Sequence, residues 1–248
     1  MSATGKFHNF GEIFQTSLPR RKGAFLDFAS EADIQVEDFF TDASLSNMVD
    51  QYIDHLDIIS AHKRPLIDVK LNSWLVLKRP WAFPGEQPYL MKKLKTSQAA
   101  FLMIFRENLA DQIISERIAR HLNKWHNLTE DMLQGKTISL DLDDVANHAR
   151  LILMAERFLF SYLRQYRNFH YLTYESLFAA DSYPRDLAAF LGDQFKIEMP
   201  SKYKSIIKKN EGDKAQIVKN YEAAVARITA VSRNFEPRPF NLSKQQSA

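Results

Sequence analysis

An arginine that closes a buried apolar run and opens a helix is a good trap for an anion. In this 248-residue chain Arg106 has that place, directly after Phe101-Leu102-Met103-Ile104-Phe105. Its forked guanidinium is expected beside the backbone N–H groups and the favourable dipole of the helix that follows. Ser115 lies nine positions later, in the same helix, where a hydroxyl can reach the same anion. The two residues also have an architectural reading, with Arg106 paired to Glu107 or another carboxylate and Ser115 an ordinary helical residue. Spacing leaves both readings open. A second marker is Tyr174-Glu175-Ser176-Leu177-Phe178 followed by Phe190-Leu191-Gly192. It reads as a strand end, a loop and a short helix, and its expected role is architectural.

Metal chemistry finds little support. There is no Cys, so thiolate zinc and iron–sulfur sites are excluded along with a disulfide scaffold. His121 and His126 are five apart and do not share a helix face, and no His pair brackets a carboxylate at helical spacing. We expect no metal. Trp74, Trp81 and Trp125 are candidates to stack on a sugar, with core packing the plainer alternative. The 78–90 loop, carrying Trp81, Phe83 and Tyr89, is the candidate acceptor wall. Arg20, Arg21 and Lys22 read as a solvated loop.

The elements that must position these residues follow from periodicity. Leu45, Val49, Ile53, Leu56 and Ile59 predict a helix over 45–60, with Ser44 as N-cap. Residues 66–71 read as a strand, 88–97 as a short basic helix, and 101–105 as a strand buried on both faces. Helices are expected over 108–125 and 144–166, a strand over 169–174, and a helix over 184–191 stopped by Gly192. A last helix covers 213–230, opened by Asp213 and Gln216 in capping-box spacing. Residues 1–43 look irregular. Strands alternating with helices predict an α/β fold of three layers, a central parallel sheet with helices on both faces. Residues 1–235 are expected to form a single domain and 236–248 a loose tail.

Composition agrees with a globular protein. Hydrophobic residues make up 45% and charged residues 25%, while seven Gly and nine Pro are too few for a turn-dense all-β or disordered chain. The 33 basic and 30 acidic residues are too evenly balanced to argue for nucleic acid. The longest apolar run, Ala99 to Phe105, is far short of the ~20 residues of a membrane span. No signal-peptide core opens the chain, so we expect a cytoplasmic protein.

The ordered set of markers resembles the sulfotransferase family, whose donor is 3′-phosphoadenosine 5′-phosphosulfate (PAPS). The markers are an apolar strand ending in Arg106, Ser115 on the next helix, Tyr174-Glu175-x-Leu177 and the Phe190-Leu191-Gly192 helix end. Asp68-Val69-Lys70, Trp125-His126, Asn220-Tyr221-Glu222 and the opening Ala3-Thr4-Gly5 leading to Gly11-Glu12-Ile13-Phe14 are similar to a bacterial carbohydrate branch. That branch includes the trehalose and nodulation-factor sulfotransferases. The resemblance implies that Arg106 and Ser115 bind the donor's 3′-phosphate. A basic residue of the C-terminal segment often completes that site, and Lys204, Lys208 and Lys209 lie in the corresponding stretch, Lys209 being the choice. The resemblance further implies that Glu12 is the general base for the acceptor hydroxyl. A positioned carboxylate contributes ~10²–10⁴-fold to such a step. The alternative for Glu12 is a cap on a nearby turn.

The implied reaction moves a sulfuryl group from PAPS to a carbohydrate or glycolipid hydroxyl, leaving 3′-phosphoadenosine 5′-phosphate (PAP). One departure stands out. Family members open with a strand and a phosphate-cradling loop of Arg-Ser-Gly-Ser/Thr type before the Ala-Thr-Gly stretch, and no such loop is found here. The resemblance therefore implies a chain lacking its N-terminal 5′-phosphosulfate loop and first strand, with impaired activity. The rivals are a non-catalytic sulfotransferase-like binding protein and a nucleotide-kinase-like enzyme. The absence of a Walker loop weighs against the kinase. Acceptor identity and oligomeric state are not readable from these residues.

Overall fold

A computed structural model describes residues 5–14, 22–39, 41–70, 87–97, 99–123, 135–179, 182–198 and 214–239. The fold is mixed α/β, and its chain contacts divide it into two compact units, Met1–Ala99 and Ala100–Ala248. The sequence predicts parallel strands, and both ladders are parallel. Among the described residues the pairing is two separate two-stranded sheets rather than one continuous central sheet.

In the first unit, β1 (Phe7–Glu12) pairs with β2 (Arg64–Asp68) in parallel register, Phe7 opposite Arg64 and Glu12 opposite Asp68. Neither the strand β1 nor the helix α1 (Phe25–Glu31) is visible in the sequence, where 1–43 looks irregular. The reason for β1 is a register irregularity between Asn9 and Gly11. It puts Phe7 and Phe10, three apart, on the buried side and destroys the two-residue alternation that marks a strand. α1 buries Phe25 and Phe28 in seven residues, too short for a periodic signal. A 3-10 turn (Val36–Phe39) leads to α2 (Asp42–Ile59), and α3 (Tyr89–Thr96) packs against α2. The α2 N-cap is Thr41 rather than Ser44: its hydroxyl accepts from the Ser44 N–H at 3.1 Å.

The core of this unit centres on Tyr52, fully buried among Phe25, Phe28 and Leu45. Its hydroxyl donates to the Gly23 carbonyl at 2.7 Å. Gly23 sits at φ +89°, and a Cβ there would fall on the Phe10 ring, so both backbone and space require glycine.

In the second unit, β3 (Phe101–Phe105) pairs in parallel with β4 (Phe169–Thr173). β3 falls where the sequence puts it, but it is not buried on both faces. Phe101, Met103 and Phe105 are buried while Ile104 is 50% exposed. Phe105 packs against Phe160 of α5 (Leu142–Leu163), which covers one face. α4 (Leu109–Leu122) also packs on α5. α5 starts earlier than 144 because Asp141 caps it, accepting from the N–H groups of Asp143 and Asp144.

Beyond β4 come α6 (Tyr174–Phe178) and α7 (Arg185–Phe195). α7 runs through Gly192. The left-handed cap is Lys196 at φ 53°, whose N–H reaches the Gly192 carbonyl. The expected last helix is two, α8 (Lys214–Ile217) and α9 (Tyr221–Arg233). The break is made by Asn220, whose side-chain amide accepts from the Leu140 N–H at 2.9 Å and donates to the Leu140 carbonyl at 2.8 Å. A side chain that imitates a strand partner in this way competes with helix continuation.

Candidate functional site

Arg106 leaves β3 in the loop that opens α4. Its guanidinium carbon lies 3.3 Å from the centroid of the Tyr174 ring, a cation–π stack. Among the described residues it has no carboxylate partner, so the pairing with Glu107 is not formed. The loop itself is held at both of its neighbouring backbone groups. Glu175 accepts from the Glu107 N–H at 2.9 Å and the Asn108 N–H at 3.3 Å. Arg238 donates from Nη1 to the Glu107 carbonyl at 3.0 Å. Asn108 caps α4, its side chain accepting from the Asp111 N–H.

This arrangement changes the sequence expectation. The backbone N–H groups of residues 107, 108 and 111, expected to face an external anion, already have acceptors within the protein. A carboxylate at a helix N-terminus is a favourable use of the dipole. The guanidinium of Arg106, stacked on Tyr174, is the group left without a counter-charge among the described residues.

The clamp residue Arg238 is itself 3% exposed and donates from Nη2 to both carboxylate oxygens of Glu156, each at 2.9 Å. Glu156 is equally buried, on the inner face of α5. Its burial pushes its carboxyl above the usual range, against the opposing pull of Arg238. The segment from Glu236, expected to be loose, is therefore anchored at Arg238. Residues 240–248 lie outside the described residues. Sequence reasoning missed both members of this pair. The available signal was Glu156 itself, an acid on the apolar stripe of α5 between Leu153 and Leu159, which requires a buried cation.

Ser115 is half-buried in α4, and its hydroxyl donates to the Asp111 carbonyl at 2.6 Å, a bond within the helix. The same carbonyl accepts from Lys214 Nζ at 3.4 Å, and Lys214 forms an ion pair with the Asp111 carboxylate. Lys214, at the start of α8, thus reaches the Ser115 turn already paired with Asp111, a contact that sequence reasoning missed. Lys209, Lys204 and Lys208 lie outside the described residues, as do Trp74, Trp81, Phe83, Trp125, Arg20 and Arg21.

Glu12 ends β1 in the first unit, half-buried, directly after the bulge. Gly11 there has φ 65°, and its N–H donates to Asn9 Oδ1 at 3.0 Å. Bulges of this kind re-aim the side chain at a strand end. Across the ladder Asp68 is held by Lys70 at 2.5 Å. Among the described residues the Glu12 carboxylate itself has no hydrogen bond or ion pair, so it is not a turn cap there.

Comparison of the chain with known protein families, with curated proteins and with solved structures gives no match in any of the three.

Proposed function

We propose that the protein transfers a sulfuryl group from PAPS to a hydroxyl of a carbohydrate or glycolipid. The observation that carries this reading is Arg106: a guanidinium with no carboxylate partner among the described residues, stacked on Tyr174, in a loop held on both sides by side chains from distant parts of the chain. Such a group is suited to a phosphate, offering a planar fork. Fit to the donor is unequal across the site. Arg106 suits the 3′-phosphate, whereas Lys214 is taken up by Asp111 and the helix N-terminus is filled by Glu175. No residue of this chain is assigned to the 5′-phosphosulfate.

When bound, PAPS supplies an activated sulfuryl group for in-line displacement. The chain's part is to hold the 3′-phosphate through Arg106, with Ser115 of α4 and Lys209 of the C-terminal segment as further candidates. Glu12 takes the proton from the attacking hydroxyl at a carboxylate oxygen, a role favoured by its having no partner among the described residues. The three-layer fold with one central parallel sheet and the cytoplasmic location belong to the same reading.

The test is transfer of labelled sulfate from PAPS to a panel of saccharides and glycolipids. The reading predicts labelled acceptor, with label lost in Glu12→Gln while PAP binding persists. PAP binding without transfer to any acceptor would favour the non-catalytic alternative. Neither binding nor transfer by the folded protein would overturn the assignment.

A further inference from the structure

α5 is apolar on two sides. Its inner face is core. On its outer face Leu151, Met154 and Phe158 recur at steps of three and four and are 65%, 59% and 47% exposed. Single exposed apolar residues are ordinary, but three in one stripe on one helix are not. Beside the stripe runs a row of arginines at seven-residue steps, Arg150, Arg157 and Arg164, all exposed. From Arg150 to Arg164 the row spans about 21 Å of helix.

The charge on this face is one-sided. In the same unit Arg117, Arg120, Arg227 and Arg238 each have a carboxylate partner. Among the described residues the three arginines of the row have none: Arg150 donates to the Asn147 amide oxygen and Arg157 lies over the Phe235 ring. The acids at the start of the helix, Asp143 and Asp144, are taken up by Arg227 and Arg117.

We propose that the outer face of α5 docks on an anionic lipid bilayer. An amphipathic helix lying in the interfacial plane buries its apolar stripe among acyl chains while cationic residues alongside meet the headgroups. Charge argues against a second copy of the chain docked through the same face, which brings no unpaired carboxylate among the described residues to meet the arginines. Shape argues against an acidic protein helix. Such helices seat in grooves, whereas along the arginine side of this stripe positions 150, 157 and 161 are all exposed and 148, 155 and 162 on its other side are half-buried, so the stripe is open to solvent on the side that carries the charge. A deformable surface suits a face open in this way. No helix among the described residues is long and apolar enough to cross a membrane, so the association proposed is with the surface. It stands independently of sulfuryl transfer.

The experiment is sedimentation of the full chain with phosphatidylcholine vesicles, with and without phosphatidylglycerol. Binding is expected with phosphatidylglycerol only, and is weakened by raising salt from ~0.1 M to ~1 M. The triple variant Arg150→Gln, Arg157→Gln, Arg164→Gln is expected to lose about a hundredfold in partitioning. Leu151→Gln with Phe158→Gln is expected to lose at least about tenfold. All five positions are exposed, and circular dichroism checks that each variant is folded. No vesicle binding would overturn the proposal, as would equal binding to neutral vesicles or binding unchanged in both variants. A dimer abolished by Phe158→Gln, or capture of an acidic amphipathic peptide in place of vesicles, would overturn it in favour of a protein interface.

Discussion

Two strand ends carry the residues singled out for chemistry, and they are built differently. At the end of β1, Glu12 is set by local means: the Asn9–Gly11 bulge and a Lys70–Asp68 pair whose side chains are about half exposed. At the end of β3, the loop after Arg106 is held by Glu175, 68 residues away, and by Arg238, 131 residues away, itself locked to buried Glu156. The first arrangement leaves the Glu12 carboxylate with no partner among the described residues. The second fixes a cation, as tight recognition of an anion requires. Substitutions at the two ends should therefore differ sharply in their cost.

The largest effect is expected from Arg238→Ala. It leaves Glu156 buried and unpaired, and urea denaturation should show a loss of about 3–5 kcal/mol. Replacing both partners, Arg238→Met with Glu156→Leu, should recover most of that stability while still loosening the Glu107 carbonyl. Gly23→Ala, in the first unit, is expected to cost about 2–3 kcal/mol through overpacking against Phe10. It supplies a large effect in that unit that is remote from its candidate residue. Glu175→Ala strips the acceptors from two backbone N–H groups and should cost about 1–2 kcal/mol. Lys70→Ala, at the β1 end, should change stability by less than about 0.5 kcal/mol.

The second unit also predicts a pH dependence. Burial holds His148 and His170 below the ordinary value of 6.5, although Glu116 lies 3.6 Å from His148 and Asp186 lies 3.7 Å from His170. Both are neutral in the folded and unfolded chains above that value. As pH falls below it the unfolded chain takes up protons first, so stability is lost on acidification. Glu156 acts in the opposite sense: its raised folded value means stability is lost as pH rises from its ordinary 4.5 through that value. In the His148→Gln, His170→Gln variant the histidine slope should vanish from thermal melts and the Glu156 slope should remain.

Legibility in the sequence follows the range of the forces involved. β3 shows because it is a continuous apolar run, β4 because it is a short stretch rich in aromatic and strand-favouring residues, and α2, α4 and α5 because their buried residues keep helical spacing. β1 is hidden because the bulge at Gly11 breaks alternation, and the α8–α9 break because it depends on Leu140, 80 residues from Asn220. Arg106 is legible as a strand-end cation. What surrounds it is not. The Tyr174 stack, the Glu175 caps and the Arg238 clamp join residues that only the folded chain brings together. Lys214 was passed over because its partner Asp111 lies 103 residues away.

Calorimetric titration with PAP, comparing the unaltered protein with Arg106→Ala, tests the central claim most directly. Arg106 is half-buried and strands no carboxylate among the described residues, so the variant should fold. The account predicts binding by the unaltered protein and its loss in Arg106→Ala. Equal binding by both, or no binding by a folded unaltered protein, would contradict it.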